Sequence, residues 1–295
     1  MRIKELFNEK KLVFSFEIFP PKVTSSINTI YDTLEELKDL TPDFISVTYG
    51  AGGSLRDNKT CELSSLVKNK YGIEALAHLT CINSTSSDID LILNQLKNNN
   101  IENILALRGD ISKDKSVTGE YNYAFELINK IKTSNNFGVA AACYPEGHIE
   151  CESLEEDVKQ LKRKVDQGAE HLISQLFFDN NLFYKFLNKA EQNNINIPIQ
   201  AGIMPVVNKK QIERIVKISG ATLPTKFIKI LDKYEHDKDA IRDAGIAYAV
   251  EQIVDLASSG VKGIHLYTMN NPYIAKKITE STKSIFNSIN KDIAV

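Results

Sequence analysis

The stretch Leu12-Val-Phe-Ser-Phe-Glu-Ile-Phe-Pro-Pro-Lys22 decides the fold of this chain. It is an almost continuous apolar run rich in aromatic and β-branched residues, which is typical of a strand buried on both faces of a parallel sheet. The run ends in Phe19-Pro20-Pro21. A doubly wound open sheet that binds a dinucleotide would have a glycine-rich turn at this point. The proline pair therefore excludes the fingerprint of the main alternative to a barrel.

Apolar runs of this kind recur along the chain, and each is followed by a polar or glycine-containing turn and then by an amphipathic segment. Eight runs separated by helical segments, at intervals of roughly 25–40 residues, predict a (β/α)₈ TIM barrel. The predicted strands are Leu12–Phe19, Phe44–Tyr49, Glu74–Thr80, Asn103–Leu107, Gly138–Tyr144, His171–Phe178, Ile197–Met204 and Gly263–Met269.

Apolar stripes with the helical period predict helices at Ile27–Leu40, Leu154–Gln167 and Asn208–Ile218. The longest interval separates strands seven and eight. It holds the helical segments Pro224–Tyr234 and Lys238–Ser258, which predicts one extra helix there. Because the sequence has no linker-like or low-complexity tract, we expect residues 1–295 to form a single catalytic barrel domain.

Composition argues against several classes of function. The chain has 295 residues, 42% of them hydrophobic, and a formal net charge of -2, so bulk electrostatics predicts neither a nucleic-acid nor a membrane partner. No stretch reaches the roughly 18 apolar residues of a membrane span. The first ten residues lack an apolar signal core, so we expect a cytoplasmic protein. The four cysteines form no C-x-x-C pair, which argues against a metal site; they are Cys61, Cys81, Cys143 and Cys151.

Function in a barrel lies at the carboxyl ends of the strands, and Glu17 lies near the end of the first one. Alternation along the strand places Val13, Ser15 and Glu17 on one face. The apolar neighbours disfavour the charged form of this carboxyl group, and a carboxylic acid that keeps its proton can act as a general acid. The alternative is a structural Glu paired with a buried Arg or Lys.

The loops after strands two, three and four also have candidate binding residues. Thr48-Tyr49-Gly50-Ala51-Gly52-Gly53 permits close approach of the backbone to a ligand, although a tight turn explains it equally well. His78, at the end of strand three, is either a ligand contact or a packing residue. Arg108-Gly109-Asp110 offers a cation for phosphate and a carboxylate for a ring N–H group. The alternative is a salt bridge within that loop.

Strands five and six add further candidates. The small residues of Ala140–Cys143 before Tyr144 leave room for a flat ring. The next helix has Asp157, Arg163 and Lys164, which would form an ordinary solvated face if they bind no ligand. Gln175, which we expect on strand six, must find hydrogen-bond partners in a ligand amide edge or a core water.

Together these segments resemble the methylenetetrahydrofolate reductase family along the whole chain. Each motif alone is modest, but nine in the right order at successive strand ends are a strong signal. The matching stretches are Phe14–Pro21, Val47–Ala51, Ala77–Cys81, Leu105–Asp110, Tyr144–His148, Leu161–Val165, Ile173–Asp179, Gly202–Pro205 and His265–Thr268.

The resemblance implies an FAD-dependent oxidoreductase that takes electrons from NADH or NADPH and reduces 5,10-methylenetetrahydrofolate to 5-methyltetrahydrofolate in a ping-pong cycle. Such a reaction belongs to one-carbon metabolism and feeds methionine synthesis. By the same resemblance, Glu17 is the general acid and also contacts the substrate. Asp110 is the carboxylate beside the flavin and the pterin, and the other folate contacts are Gln175 and Gln211. The implied FAD and nicotinamide contacts are Thr48, Tyr49, Ala51, His78, Arg108, Gly109, Asp110, Ala124, Tyr144, His148, Asp157, Arg163 and Lys164.

Two residue positions and the length of the chain depart from the family pattern. Asn271 stands where bacterial members have an Arg, and Ile215 stands where some members pack a Phe on folate. The sequence also stops after the barrel, so we expect the short form, without the regulatory region of animal and fungal members.

Two other functions remain open at this stage: another FAD-dependent barrel oxidoreductase, similar to proline dehydrogenase, or a partner-dependent folate-binding subunit. The first would not need Glu17, Arg108-Gly109-Asp110 and Gln175 together, and intact Glu17 and Asp110 argue against the second. We expect a homo-oligomer whose electrons come from a nicotinamide or from a partner electron-transfer subunit.

Overall fold

The computed structural model describes residues 1–21, 28–49, 59–110, 119–134 and 136–291. Eight parallel strands close into a barrel in chain order, and the first strand pairs with both the second and the eighth. The predicted barrel is therefore confirmed. The strands are β1 (Val13–Ile18), β2 (Phe44–Val47), β3 (Glu74–Thr80), β4 (Asn103–Leu107), β5 (Gly138–Cys143), β6 (His171–Ser174), β7 (Ile199–Ile203) and β8 (Gly263–Tyr267).

Helices follow the strands, and the third helix continues into a π-helical turn at Leu66–Lys70. Local capping sets several of their starts. At the fourth helix, for example, Thr85 and Asp88 form a reciprocal capping box. The helices are α1 (Ile3–Glu9), α2 (Asn28–Lys38), α3 (Lys59–Ser65), α4 (Ser86–Asn98), α5 (Ala124–Ser134), α6 (Leu154–Asp166), α7 (Asn180–Gln192), α8 (Lys209–Ser219), α9 (Thr225–Tyr234), α10 (Lys238–Ser258) and α11 (Pro272–Lys291).

Two predictions about element bounds need correction. Three helices, α8 to α10, lie between β7 and β8, so this segment has two extra helices and not one. Strand β6 ends at Ser174, four residues before the predicted end of that strand. The reason is that Leu176 and Phe178 leave the barrel wall and pack in a separate apolar cluster with α8, α9 and α10. Gln175 consequently lies in the loop after β6 and not on the strand.

The inner residues at the amino ends of the strands form an apolar layer that we call the barrel floor. Val13, Phe44, Leu76 and Leu105 are buried there. Ile3, Leu6 and Phe7 of α1 pack against this layer. The outward faces of the strands pack on the surrounding helices in a larger core. The inward polar side chains Ser15, Glu17 and Gln200 lie above this layer, towards the candidate site, whereas His171 is a polar residue at the floor itself.

No helix in the described part of the chain is long and apolar enough to cross a membrane.

Candidate active site

The loop after β8 holds the end of β1, and with it Glu17. The Thr268 hydroxyl donates to the Glu17 carbonyl oxygen at 2.6 Å, and the Thr268 backbone N–H donates to the same oxygen at 3.3 Å. Asn270 adopts a left-handed backbone conformation with φ of 53°. Its side-chain amide accepts from the Phe19 N–H at 3.0 Å and donates to the Phe19 carbonyl at 2.8 Å. These bonds hold the backbone from the Glu17 carbonyl to Phe19.

The Glu17 side chain is 19% exposed and lies between two imidazoles. Its Oε2 atom is 3.6 Å from His78 Nε2 and 3.7 Å from His265 Nε2. Desolvation lowers the pKa of buried His78 to about 4, although the nearby Glu17 charge opposes this shift. In the described residues the ionisable partners of this carboxyl group are thus imidazoles, not the Arg or Lys that a structural role predicted.

Behind Glu17, polar side chains continue into the centre of the barrel. Ser15 Oγ is 2.7 Å from His265 Nδ1, and the amide Nε2 of Gln200 donates to Ser15 Oγ at 3.1 Å. Ser46 Oγ is 3.3 Å from His265 Nε2. Sequence reasoning assigned no role to His265 or Gln200. The signal that could have found Gln200 is an amide in the fully buried run Ile199–Ile203.

Tyr267 of β8 forms the wall beside this interior. Its hydroxyl donates to the Ser174 carbonyl at 2.7 Å. This contact needs Gly202, because a Cβ atom at that position would lie 2.2 Å from the Ser174 oxygen and 2.7 Å from the Tyr267 hydroxyl. Burial raises the pKa of Tyr267 well above its usual value, and the Glu17 charge adds to the shift. Tyr267 therefore stays neutral and acts as a hydrogen-bond donor.

Arg108, in the loop after β4, makes a two-pronged ion pair that the sequence did not predict. Its Nη1 and Nη2 atoms donate to the two carboxylate oxygens of Glu150 at 2.5 and 2.8 Å, and its Nε donates to the Gly109 carbonyl at 3.3 Å. The bond from Glu150 raises the pKa of Arg108, and Arg108 lowers that of Glu150. The expected alternative, a bridge to Asp110 in the same loop, is not formed; Asp110 is exposed.

The charges of α6 meet the end of β5. Lys164 Nζ donates to the Ala142 carbonyl at 2.9 Å and lies 5.6 Å from the Tyr144 ring centre. Desolvation lowers the pKa of Lys164 and raises that of buried Asp157, and each charge opposes the shift of the other. The His148 and Tyr144 rings meet edge to face, with centres 4.7 Å apart. Lys164 and Asp157 are therefore not part of a solvated helix face.

Arg163 behaves differently from its neighbour. Its guanidinium carbon lies 3.9 Å from the centre of the Phe125 ring, and its Nη1 donates to Gln160 at 3.0 Å. The side chain is exposed, whereas Ala124, at the first position of α5, is buried. The Arg163 guanidinium of α6 therefore stacks on the Phe125 ring at the start of α5, at the edge of the mouth.

Of the remaining predicted site residues, some lie near the residues described above and others do not. Gln175 accepts from the Leu176 N–H at 2.9 Å and lies in a small cleft with Tyr144 and Gly147. Thr48 and Tyr49 are partly buried after β2. Gln211 is exposed on the first turn of α8, and the structure shows no contact of its side chain with the residues above. Ala51 lies outside the described residues.

Both positions that depart from the family pattern have local structural roles. Asn271 Oδ1 accepts from the Ile274 N–H at 3.2 Å and so caps the start of α11. Ile215 packs against the apolar cluster of α8, α9 and α10.

A family model described as methylenetetrahydrofolate reductase matches residues 2–283. The methylenetetrahydrofolate reductase (NADH) 1 of Arabidopsis thaliana is 36% identical over 284 residues, which cover 91% of this chain and 48% of the plant protein. The 5,10-methylenetetrahydrofolate reductase of Escherichia coli strain K12 is 35% identical over 256 residues, or 87% of this chain and 86% of the bacterial protein. The chain thus spans about half the length of its plant relatives.

A solved structure shares the fold at low sequence identity. It is described as an uncharacterized protein from Clostridium thermocellum that binds two copies of 5-methyl-5,6,7,8-tetrahydrofolic acid. The TM-score is 0.66 at 13% identity, and the match covers 98% of this chain and 100% of the other. This likeness supports the barrel fold, and the sequence matches establish the relationship: the chain belongs to the methylenetetrahydrofolate reductase family.

Proposed function

We propose that this chain is a single catalytic domain that reduces 5,10-methylenetetrahydrofolate to 5-methyltetrahydrofolate with electrons from NADH or NADPH. The observation that carries the proposal is the position of Glu17. Its carboxyl group lies at the mouth of the barrel between His78 and His265, beside a hydroxyl group of Tyr267 that stays neutral. A carboxyl group in this position is within reach of a ligand bound at the mouth, and the relatives are named as methylenetetrahydrofolate reductases.

The residues at the mouth fit FAD. Arg108 and Lys164 are cations of the kind that bind a pyrophosphate. His78 Nε2 is buried and has no hydrogen-bond partner among the described residues, so a ligand atom would satisfy it. Tyr144 offers a flat apolar surface. We assign the FAD and nicotinamide contacts to Thr48, Tyr49, Ala51, His78, Arg108, Gly109, Asp110, Ala124, Tyr144, His148, Asp157, Arg163 and Lys164.

When bound at these residues, FAD would supply the chemistry of hydride transfer between the nicotinamide and the one-carbon unit of the folate. Glu17 would donate its proton to the bridging nitrogen of the substrate, so that the five-membered ring opens to an iminium cation. The Asp110 carboxylate would stabilise this cation by its charge. Gln175 and Gln211 would hold the folate. Overall, one hydride and one proton are added to the substrate.

Loss and return of flavin colour test the proposal. The purified protein should contain about one FAD per chain, as expected for a single site. NADH or NADPH should bleach its long-wavelength absorption band without air, and methylenetetrahydrofolate should restore it. A protein that stays colourless after incubation with FAD would contradict the proposal. Bleaching by proline would indicate the other flavin oxidoreductase, and bleaching only after addition of a second protein would indicate a partner-dependent subunit.

Further measurements test the expected electron donor, oligomeric state and cellular location. Comparison of NADH with NADPH identifies the preferred electron donor; the plant relatives are named for NADH. Analytical ultracentrifugation would test the predicted homo-oligomer, and cell fractionation would test the predicted cytoplasmic location.

A further inference from the structure

Gln200 is a polar residue in the centre of the barrel for which the proposed reaction has no role. It is fully buried on β7, and its Nε2 donates to Ser15 Oγ at 3.1 Å. Its Oε1 has no hydrogen-bond partner in the part of the chain that the structure describes. An amide buried with an unmade hydrogen bond is destabilising, and an apolar side chain would fill the space without this cost. Packing alone therefore does not account for Gln200.

The consequence of the Gln200 bond depends on which atom accepts the hydrogen bond that the Ser15 hydroxyl donates. Two acceptors are within reach: His265 Nδ1 at 2.7 Å and the Ile264 carbonyl at 3.5 Å. The distance to His265 Nδ1 is that of a strong hydrogen bond, whereas the distance to the Ile264 carbonyl is at the upper limit for a hydrogen bond. Donation by the amide also polarises the hydroxyl group and strengthens its onward bond. Ser15 therefore donates to His265 Nδ1.

A neutral imidazole has one N–H group, so an Nδ1 atom that accepts places the proton on Nε2. That nitrogen is the one 3.3 Å from Ser46 Oγ and 3.7 Å from Glu17 Oε2. We infer that Gln200 is a positioning residue that acts through Ser15 to hold His265 in the tautomer whose Nε2–H faces Glu17.

The benefit to the reaction rests on the proposed function. Once Glu17 has given its proton to the folate, a carboxylate remains in a largely buried site. An N–H group held on the nitrogen that lies 3.7 Å from that carboxylate stabilises it electrostatically without rearrangement. The tautomer of His265 is a property of the folded protein, however, so it can be measured whether or not the protein reduces folate.

The test is Gln200→Met, which keeps the length of the side chain and removes its donor. Nitrogen NMR of the full-length, FAD-loaded protein with labelled histidines distinguishes the two tautomers, and a His265→Gln spectrum assigns the signals. We expect wild-type His265 to have its proton on Nε2 and the variant to show an increased Nδ1–H population. The rate of the folate half-reaction should fall by about twofold to tenfold, the effect of one neutral hydrogen bond. The KM for folate and the reduction by nicotinamide should not change.

Gln252→Met is the matched control. Gln252 is also buried, its Nε2 donates to the Phe177 carbonyl at 3.3 Å, and its Oε1 also has no partner in the described residues. It lies on α10, outside the barrel interior, so its replacement should leave the His265 signals unchanged. Ser15→Ala removes the hydroxyl group that links Gln200 to His265, so it should change the His265 tautomer in the same way. This second variant provides the test if Gln200→Met does not fold.

The inference is overturned if wild-type His265 has its proton on Nδ1, since Ser15 would then accept from the ring. It is also overturned if neither Gln200→Met nor Ser15→Ala changes the tautomer. A tautomer that shifts as expected in a protein without folate reductase activity would contradict the proposed function and leave the positioning role intact.

Discussion

The two ends of the barrel interior use the same strands for opposite purposes. On β1 the inward residues are Val13, Ser15 and Glu17, in order from the floor to the mouth. Val13 is fully buried under α1, whereas Glu17 is 19% exposed. Successive inward residues are about 6.6 Å apart along the strand. Val13 and Glu17 are thus four positions apart on one strand. We expect the first to serve stability and the second to serve chemistry, because α1 covers Val13 whereas Glu17 is partly exposed.

Buried histidines at the two ends make the difference clearer. His171, at the floor, packs against the rings of Phe7 and Phe44, with centres 5.3 and 6.1 Å apart, and burial lowers its pKa to about 3. His78, at the mouth, also loses basicity by burial, but the Glu17 charge opposes the shift. Because His78 has a carboxylate beside it and His171 packs against rings, we expect His171 to act in packing and His78 at the candidate site.

The largest effect expected at the mouth comes from Glu17→Gln, which keeps the volume and removes the transferable proton. Reduction of FAD by a nicotinamide requires no acid from the protein, but opening of the folate ring does. We expect the folate half-reaction to slow by about 10²–10⁴-fold, as is usual for general acid catalysis. FAD content and nicotinamide-driven bleaching should stay near wild type. Rapid-mixing absorbance measures both halves, and equal slowing of both would show that Glu17 is structural.

At the floor, Leu76→Ala should affect stability alone. Leu76 is fully buried in the apolar layer. Its truncation should lower the free energy of unfolding by about 2–5 kcal/mol, from lost transfer energy and the cavity left behind. Denaturant unfolding of the flavin-free protein measures this, with Leu91→Ala, at a 57% exposed position of α4, as the control. If Leu76→Ala instead changes the rate of the folate half-reaction and leaves the free energy of unfolding unchanged, the floor does not serve stability alone.

Arg108→Ala should weaken FAD binding by the loss of charge-assisted hydrogen bonds, each of about 1.5–3 kcal/mol. Equilibrium titration of flavin-free protein with FAD gives the change in Kd. Glu150→Gln is the control, because it removes the ion pair and keeps the guanidinium group; it should leave FAD binding equal or tighter. If Arg108→Ala lowers the melting temperature of the flavin-free protein as much as that of the holoprotein, the role of Arg108 is structural.

The smallest expected effect is a change in how the free energy of unfolding depends on pH, and it comes from His171 at the floor. The pKa of His171 is about 3 in the folded chain and 6.5 as its ordinary value. Below pH 6.5 the unfolded chain binds a proton that the folded chain does not, so stability is present above this pH and is lost as the pH falls towards 3. His171→Gln should reduce the slope of unfolding free energy against pH by up to about 1.4 kcal/mol per pH unit.

Chemical unfolding of the flavin-free protein between pH 6.5 and 4 measures this slope. His236→Gln, at a side chain that is 93% exposed, is the control and should leave the slope unchanged. An equal slope in wild type and His171→Gln would show that His171 takes up its proton without unfolding the chain.

Much of the fold could be predicted because its signals are local. Buried parallel strands appear as short apolar runs and amphipathic helices as stripes, so the eight strands and the five helices that were predicted were found within a few residues. Strand β6 was predicted too long because the apolar residues after Ser174 also favour a strand; only their packing against α8 to α10 shows that they have left the barrel. All three helices before β8 were predicted, with Asn208–Ile218 among them, but only one of them was counted as extra.

The candidate site was predictable where one strand end supplies both the residue and its direction. This applies to the positions of Glu17, His78 and Arg108 at the carboxyl ends of their strands; their roles stay predictions. The partner of Arg108 was not predictable, because Glu150 is 42 residues away and reaches it from the loop after β5. The location of Gln211 near the folate remains a prediction from the family resemblance.

By itself, the sequence determined that the chain forms a barrel, that Glu17 points inward near the end of the first strand, and that the motifs are those of one family. These properties follow from backbone geometry, in which side chains alternate along a strand. Only the tertiary structure decided which polar groups meet inside. Ser15 and His265 are 250 residues apart and touch because β1 and β8 close the barrel, and Gln200 of β7 reaches Ser15 past the intervening strand β8. The physical reason is that contacts across a closed sheet depend on the register of all eight strands together, which no single segment of sequence contains.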